Sequence, residues 1–225
     1  MTEYNIRLVK GHILLDSGEG WLLVDTGSPL SCHEAGRIDL DGGHFSVSTS
    51  IPLYNIDADY LSERIGERVR GLLGMDIIGR FRVKIDLAGG KMTFGCSTDG
   101  MRRLPSSLSL MGYVLVDMTV NDRPARIVLD TGAPVSYVST SYTEGLEAVD
   151  RATDFQPLLF GGTKSFETSI FEFPASFAGC DFTMRAGHLP KMTQLELTLL
   201  GASGVVGLEL FGRFPIAIAD GAVWV

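Results

Sequence analysis

The sequence predicts an all-β chain, mainly strand with few short helices, built from two related lobes. Three observations carry this expectation. Apolar runs of strand length alternate with turns rich in Gly, Asn, Asp and Pro. Glycine is abundant, at 27 of 225 residues, as suits a hairpin- and loop-rich protein. One strand–turn–strand pattern occurs twice, which marks an internal duplication.

The repeat is clearest around two aspartates. Leu22-Leu23-Val24-Asp25-Thr26-Gly27-Ser28-Pro29-Leu30-Ser31 recurs as Ile127-Val128-Leu129-Asp130-Thr131-Gly132-Ala133-Pro134-Val135-Ser136. Each copy follows a turn (Gly18-Glu19-Gly20, then Asn121-Asp122-Arg123-Pro124) and an earlier apolar strand. A second echo pairs Leu72-Leu73-Gly74-Met75-Asp76 with Val205-Val206-Gly207-Leu208-Glu209. A third, weaker echo pairs Asp41-Gly42-Gly43-His44-Phe45 with Ala178-Gly179-Cys180-Asp181-Phe182, each read as a hairpin with a glycine-containing turn. The order is the same in both copies, so the lobes are set at 1–98 and 109–225, joined by a linker at 99–108. Helix is expected only in short pieces, over 59–70 and after Gly74 and Gly207.

Composition narrows the function. Hydrophobic residues make up 45% and charged residues 20%, enough to bury a core and too apolar for disorder. The formal charge of −8 is a poor match for nucleic acid, which wants clustered Lys and Arg. No apolar run reaches membrane-spanning length, and the first residues carry no secretory signal. The three cysteines are odd in number and widely spaced, which suggests neither a disulfide framework nor a zinc site. The expectation is a cytoplasmic protein without nucleic-acid or membrane partners. Asp39 and Asp41 before Gly42-Gly43 lack the remaining ligands of a calcium loop, and His12, His33, His44 and His188 lack metal-site spacing. Cys32 reads as a buried small hydrophobe, with a reactive thiol as the other reading.

An apolar strand, then Asp-Thr-Gly-Ser or Asp-Thr-Gly-Ala, then a later apolar-apolar-Gly resembles the aspartic proteases. The chain is similar to a pepsin-like bilobal enzyme reduced towards two retropepsin subunits fused in one chain. A single chance Asp-Thr-Gly is expected in roughly one chain in twenty of this length, so the weight lies in two matched copies. Ordinary strand-to-turn junctions also use Asp and Gly, but rarely in two such extended copies. The resemblance implies an aspartic endopeptidase with Asp25 and Asp130 as the catalytic pair. It implies no cofactor or metal, a peptide or protein substrate, and activity as a monomer. It also implies support by the loops Thr26-Gly27-Ser28 and Thr131-Gly132-Ala133, with the threonines bonding across the lobe interface. Gly74 and Gly207 then allow close backbone passage behind each loop.

The chemistry explains the residue types. Two carboxylates at short range cannot both ionise, so the pair shares one proton. The charged member takes a proton from water while the other protonates the carbonyl oxygen. Gly27 and Gly132 turn the backbone sharply and present amides to the carboxylates. A Ser28 hydroxyl is expected to donate to Asp25, which Ala133 cannot do for Asp130.

The two lobes differ in length. Asp25 precedes Phe45 by 20 residues and Asp130 precedes Phe182 by 52, so the first lobe lacks about 32 residues that the second keeps. The retained stretch reads as two strands about Gly161-Gly162. It is the candidate for a single flap over the cleft at 154–173, with Phe160, Gly161, Gly162 and Thr163 at or near its tip. An ordinary surface hairpin is the other reading. Two further functions stay open: a catalytically silent peptide-binding module on the same fold, and a two-carboxylate glycosidase, which Asp-Thr-Gly on paired lobes does not support.

Overall fold

The computed structural model describes residues 1–52, 54–109, 111–157 and 163–225. The chain is mainly β. It opens with a meander of β1 (Thr2–Val9), β2 (His12–Asp16) and β3 (Trp21–Val24). Then come β4 (Cys32–His33), the hairpin β5 (Arg37–Leu40) and β6 (Gly43–Ser46), and the short hairpin β7 (Ser50–Ile51) and β8 (Ile56–Asp57). Helix α1 (Ala58–Ile65) leads into β9 (Gly71–Leu73), the single-turn α2 (Met75–Ile78), β10 (Val83–Asp86) and β11 (Lys91–Phe94).

The later chain repeats this order. After β12 (Arg103–Leu104) and β13 (Ser106–Leu108) come β14 (Val114–Val120), β15 (Arg123–Leu129) and β16 (Ser136–Val138). The long antiparallel strands β17 (Asp150–Pro157), β18 (Thr163–Phe177) and β19 (Cys180–Gly187) follow. Then come α3 (Lys191–Leu199), β20 (Gly204–Val206), α4 (Leu208–Phe211), β21 (Ile216–Ala219) and β22 (Ala222–Trp224).

The duplication is visible in strand pairing. β3 runs parallel to β9 with Leu22 opposite Gly71, and β4 runs antiparallel along the other side of β9. β15 runs parallel to β20 with Ile127 opposite Gly204, and β16 runs antiparallel along the other side of β20. The third sequence echo also appears in the backbone. The β5–β6 turn uses Asp41 and Gly42 at φ 49° and 73°, and the β18–β19 turn uses Ala178 and Gly179 at φ 54° and 73°. Paired left-handed residues match the twist of a two-residue hairpin.

Each half also carries a helix over an apolar patch. Helix α1 starts because the Asp57 carboxylate accepts from the Tyr60 N–H at 2.8 Å, and its Ala58, Leu61 and Ile65 point inward. Gly66 at φ 73° ends it short of the expected Arg70. Its Leu61 and Ile65 cover Leu14, Leu23 and Leu72. In the second half Leu197 of α3 covers Leu115, Val128 and Val205. Sequence reading did not expect α3. Leu195, Leu197 and Leu199 alternate with polar residues in the period of a strand, which hides a helix.

Strand pairing crosses the divisions expected at 98 and 109. One sheet runs β12-β22-β21-β10-β11-β1-β2-β3-β9-β4, so the last strands of the chain join the sheet of the first half. Val83 pairs with Ile218 and Ile85 with Ile216, all of them buried. The expected linker is also structured, since β12 pairs with β22 and β13 pairs with β14. The second sheet runs β13-β14-β15-β20-β16-β19-β18-β17. No helix among the described residues is long and apolar enough to cross a membrane.

Candidate active site

Asp25 and Asp130 each follow the last residue of a central strand. The Asp25 N–H donates to the Leu73 carbonyl at 3.0 Å, and the Asp130 N–H donates to the Val206 carbonyl at 3.0 Å. Both loops therefore leave their sheets at the same register. The backbone beyond β9 and β20 must then pass directly behind them. A Cβ on Gly74 would lie 2.6 Å from the Leu30 carbonyl oxygen, and one on Gly207 would lie 2.1 Å from that of Ala133. Neither position accommodates a side chain. The Ser31 and Ser136 hydroxyls accept the N–H groups of these two glycines at 2.8 and 3.1 Å.

The threonines tie the loops together. The Thr26 N–H donates to Thr131 Oγ1 at 2.9 Å, and the Thr131 N–H donates to Thr26 Oγ1 at 3.0 Å. Each hydroxyl in turn donates across the interface, Thr26 to the Leu129 carbonyl at 2.8 Å and Thr131 to that of Val24 at 2.9 Å. Both threonines are fully buried, so each lost bond would leave polar groups without water.

This lock brings the two carboxyl groups together. A Cβ on Gly27 would lie 2.2 Å from Asp130 Cγ, and one on Gly132 would lie 2.5 Å from Asp25 Oδ1. Each glycine thus clears room for the opposite aspartate. The Gly27 N–H donates to Asp25 Oδ1 at 2.9 Å, and the Gly132 N–H donates to Asp130 Oδ1 at 2.7 Å. Burial pushes both carboxyl groups above their usual range. For Asp25 the Asp130 charge and the hydrogen bond between the carboxyls add to this rise, against the Gly27 and Ser28 amides. For Asp130 the amides of Gly132, Gly27 and Ala133 and the bond from Asp25 oppose the rise. Two carboxyls this close disfavour double ionisation, so their protons belong to the pair and to neither member alone.

Ser28 departs from expectation. Its hydroxyl donates to the Leu30 carbonyl at 2.8 Å, and only its backbone amide reaches Asp25. The nearby carbonyl of the turn captures the hydroxyl, as is common for serine in tight turns. The difference between Ser28 and Ala133 therefore does not reach the carboxyls through a side chain.

The β17–β18 hairpin lies beside this centre. Tyr137, on β16, donates its phenol to Asp154 on β17, and Tyr137 also lies within electrostatic reach of Asp130. Phe155 sits beneath the Arg64 guanidinium of α1, 3.5 Å from the ring centroid. A hairpin of the second half thus touches a helix of the first. The β1–β2 turn approaches from the same side, with Gly11 against Pro134 and His12 within reach of the Asp154 charge. Within the expected flap, Thr163 pairs with Pro157 in the backbone ladder, and Phe160, Gly161 and Gly162 lie outside the described residues.

Sequence reasoning singled out neither Tyr113 nor Tyr137, and it placed Asp154 in the expected flap without a role of its own. A signal existed for Tyr137, which stands seven residues after Asp130, where the first copy has Cys32 seven after Asp25. Cys32 itself is fully buried, and burial pushes its thiol up to about 11, which fits a small hydrophobe and not a nucleophile. Tyr113 lies within electrostatic reach of both aspartates, yet it follows a linker that offered no reason to single it out. Compared with known proteins, the chain matches no family model and no curated relative.

Proposed function

We propose that this chain is an aspartic endopeptidase on a bilobal, pepsin-like fold of two retropepsin-like lobes. One observation carries the reading: two Asp-Thr-Gly loops, locked by reciprocal threonine bonds, hold two buried carboxyl groups against each other. A water seated between Asp25 and Asp130 gives a proton to the charged carboxylate as it attacks the peptide carbonyl carbon. The protonated carboxyl donates to the carbonyl oxygen. The tetrahedral diol then collapses, and a proton returned by the pair leaves with the amine nitrogen. The fixed amides of Gly27 and Gly132 keep the carboxylates in place throughout.

The β17–β18 hairpin serves as the single flap, carried by the second lobe and steadied by Tyr137 and Arg64. A reducing, cytoplasmic setting is part of the proposal and rests on three widely spaced free cysteines. The test is hydrolysis of a proteome-derived peptide mixture, with and without a statine inhibitor whose hydroxyl replaces the attacking water. Cleavage that the statine blocks and that Asp25→Asn removes is the expected result. Cleavage surviving Asp25→Asn would exclude the mechanism.

A further inference from the structure

The first aspartate loop is closed onto the turn behind it by a carboxylate that the mechanism does not use. Between Asp25 and Ser31 the chain folds on itself. The Ser28 N–H donates to the Asp25 carbonyl at 3.2 Å, the Ser28 hydroxyl donates to the Leu30 carbonyl at 2.8 Å, and the Gly27 N–H reaches Asp25 Oδ1 at 2.9 Å. Two bonds then fasten the loop to the turn between β9 and α2. The Met75 N–H donates to the Ser28 carbonyl at 2.9 Å, and the Gly74 N–H donates to the Ser31 hydroxyl at 2.8 Å. The Ser31 hydroxyl in turn donates to Asp76 Oδ1 at 2.5 Å, the short length of a hydroxyl bound to a charged carboxylate. Ser31 is buried, so an acceptor lost here is poorly replaced by water.

The duplication supplies a comparison within the molecule. In the second half the Leu208 N–H donates to the Ala133 carbonyl at 3.2 Å, and the Gly207 N–H donates to the Ser136 hydroxyl at 3.1 Å. Glu209 stands where the first half has Asp76. Its carboxylate turns instead to Arg213 at 3.1 Å and to the Arg185 N–H at 3.3 Å. The frame is common to both loops, and the carboxylate behind the serine belongs to the first.

We propose that Asp76 is a positioning residue for Asp25: through Ser31 it holds the first loop against the Gly74 turn and so keeps the Gly27 N–H on the Asp25 carboxylate. For its effect on rate this rests on the peptidase reading. Asp76 acts through Ser31 and takes no part in the bond-breaking step. Its loss has a readable sign. A loosened Gly27 amide stabilises the charged carboxylate less, so the pair would keep its protons to higher pH. Loss of the Asp76 charge itself acts the other way, because one fewer nearby anion makes the pair easier to ionise. Other groups do not confuse the reading. Burial pushes Tyr113, within electrostatic reach of both aspartates, up to about 12, and it also pushes Tyr137 up. The Cys32 thiol, within reach of Asp76, is pushed up to about 11, and Arg80 donates to the Asp76 carbonyl. None of these changes charge in acid.

Two measurements test the proposal. One is the acid limb of kcat/KM on a peptide cleaved from the mixture, and the other is the pH titration of the pair itself, followed by NMR of carboxyl-labelled aspartate. Asp76→Ala should move both upward by about one pH unit, the worth of one charge-assisted bond, and should lower kcat more than it raises KM. Ser31→Ala should do the same. Asp76→Asn keeps an acceptor oxygen and should restore most of the wild-type behaviour. Glu209→Ala, at the matching position, should leave both measurements where they are. No movement or a downward one in Asp76→Ala, the same shift in Asp76→Asn, or the same shift in Glu209→Ala overturns the positioning role. Failure of both Asp76→Ala and Ser31→Ala to fold overturns it too, since the bond would then support the fold as a whole. If the wild type cuts no peptide, the titration decides. An upward shift in Asp76→Ala alone would keep the positioning role and sink the peptidase reading, whereas an active wild type with no shift would leave the peptidase standing without it.

Discussion

Thr26 shows how one hydroxyl can hold an interface between two halves. It accepts from the Thr131 N–H and donates to the Leu129 carbonyl, both in buried surroundings. Thr26→Val keeps the shape and deletes both bonds. Two buried groups are then unpaired, and the expected loss is about 3 kcal/mol of stability, read from urea unfolding. Thr26→Ser keeps the oxygen and should restore most of it. Equal stability of the valine and wild-type proteins would contradict the lock. The aspartates give a second expectation, with the opposite sign. Both carboxyls hold protons more tightly folded than unfolded, with burial the largest cause. The folded state therefore binds more protons than the unfolded state above the unfolded value of about 4. Stability contributed by the protonated pair is full below that value and is lost as pH rises through the folded one. Asp25→Asn should match the wild type near pH 3 and exceed it in stability at neutral pH. A wild type that is the more stable of the two at neutral pH would refute the raised values. Residue types at these loops were legible in the sequence because two copies repeat them. The Ser28 hydroxyl was not, because a carbonyl two residues along competes for it at 2.8 Å.

The elements that differ between the halves are where the sequence was hardest to read. Close backbone passage behind each loop was expected at Gly74 and Gly207, and the β3–β9–β4 and β15–β20–β16 pairings provide it. The length difference after each aspartate pointed to an added hairpin in the second half, and β17–β18 lies in that stretch. Its anchoring was hidden, since Tyr137–Asp154 and Arg64–Phe155 join residues far apart in sequence. Position 137 has a tyrosine where its counterpart, Cys32, is a buried thiol under Ile56. The larger residue belongs to the half with the longer hairpin to hold. Tyr137→Phe removes only the phenol oxygen. Loss of a bond to a charged acceptor should cost about 1.5 kcal/mol and lower kcat/KM about tenfold, through a hairpin less well held over the dyad. An unchanged kcat/KM for Tyr137→Phe would mean that Asp154 does not position the hairpin for catalysis.

At the scale of the molecule the duplication was legible and the division between halves was not. Strand periodicity reports local burial and cannot say which sheet receives the final strands. Ile216 and Ile218 read as part of the second half, yet they complete the sheet through Val83 and Ile85 of the first. This exchange binds the halves into one unit and carries both aspartate loops on a single chain. On the proposed reading one molecule supplies the whole catalytic pair, and specific activity should hold constant on dilution. The most direct measurement is hydrolysis of the peptide mixture by four samples: wild type, Asp25→Asn, Asp130→Asn, and an equal mixture of the two variants. The expected result is activity in the wild type alone, with each variant folded and slower by about 10⁴-fold or more, as when one member of a cooperating pair is removed. Substantial hydrolysis by either variant, an inactive wild type, or activity restored on mixing would contradict a single-chain aspartate dyad.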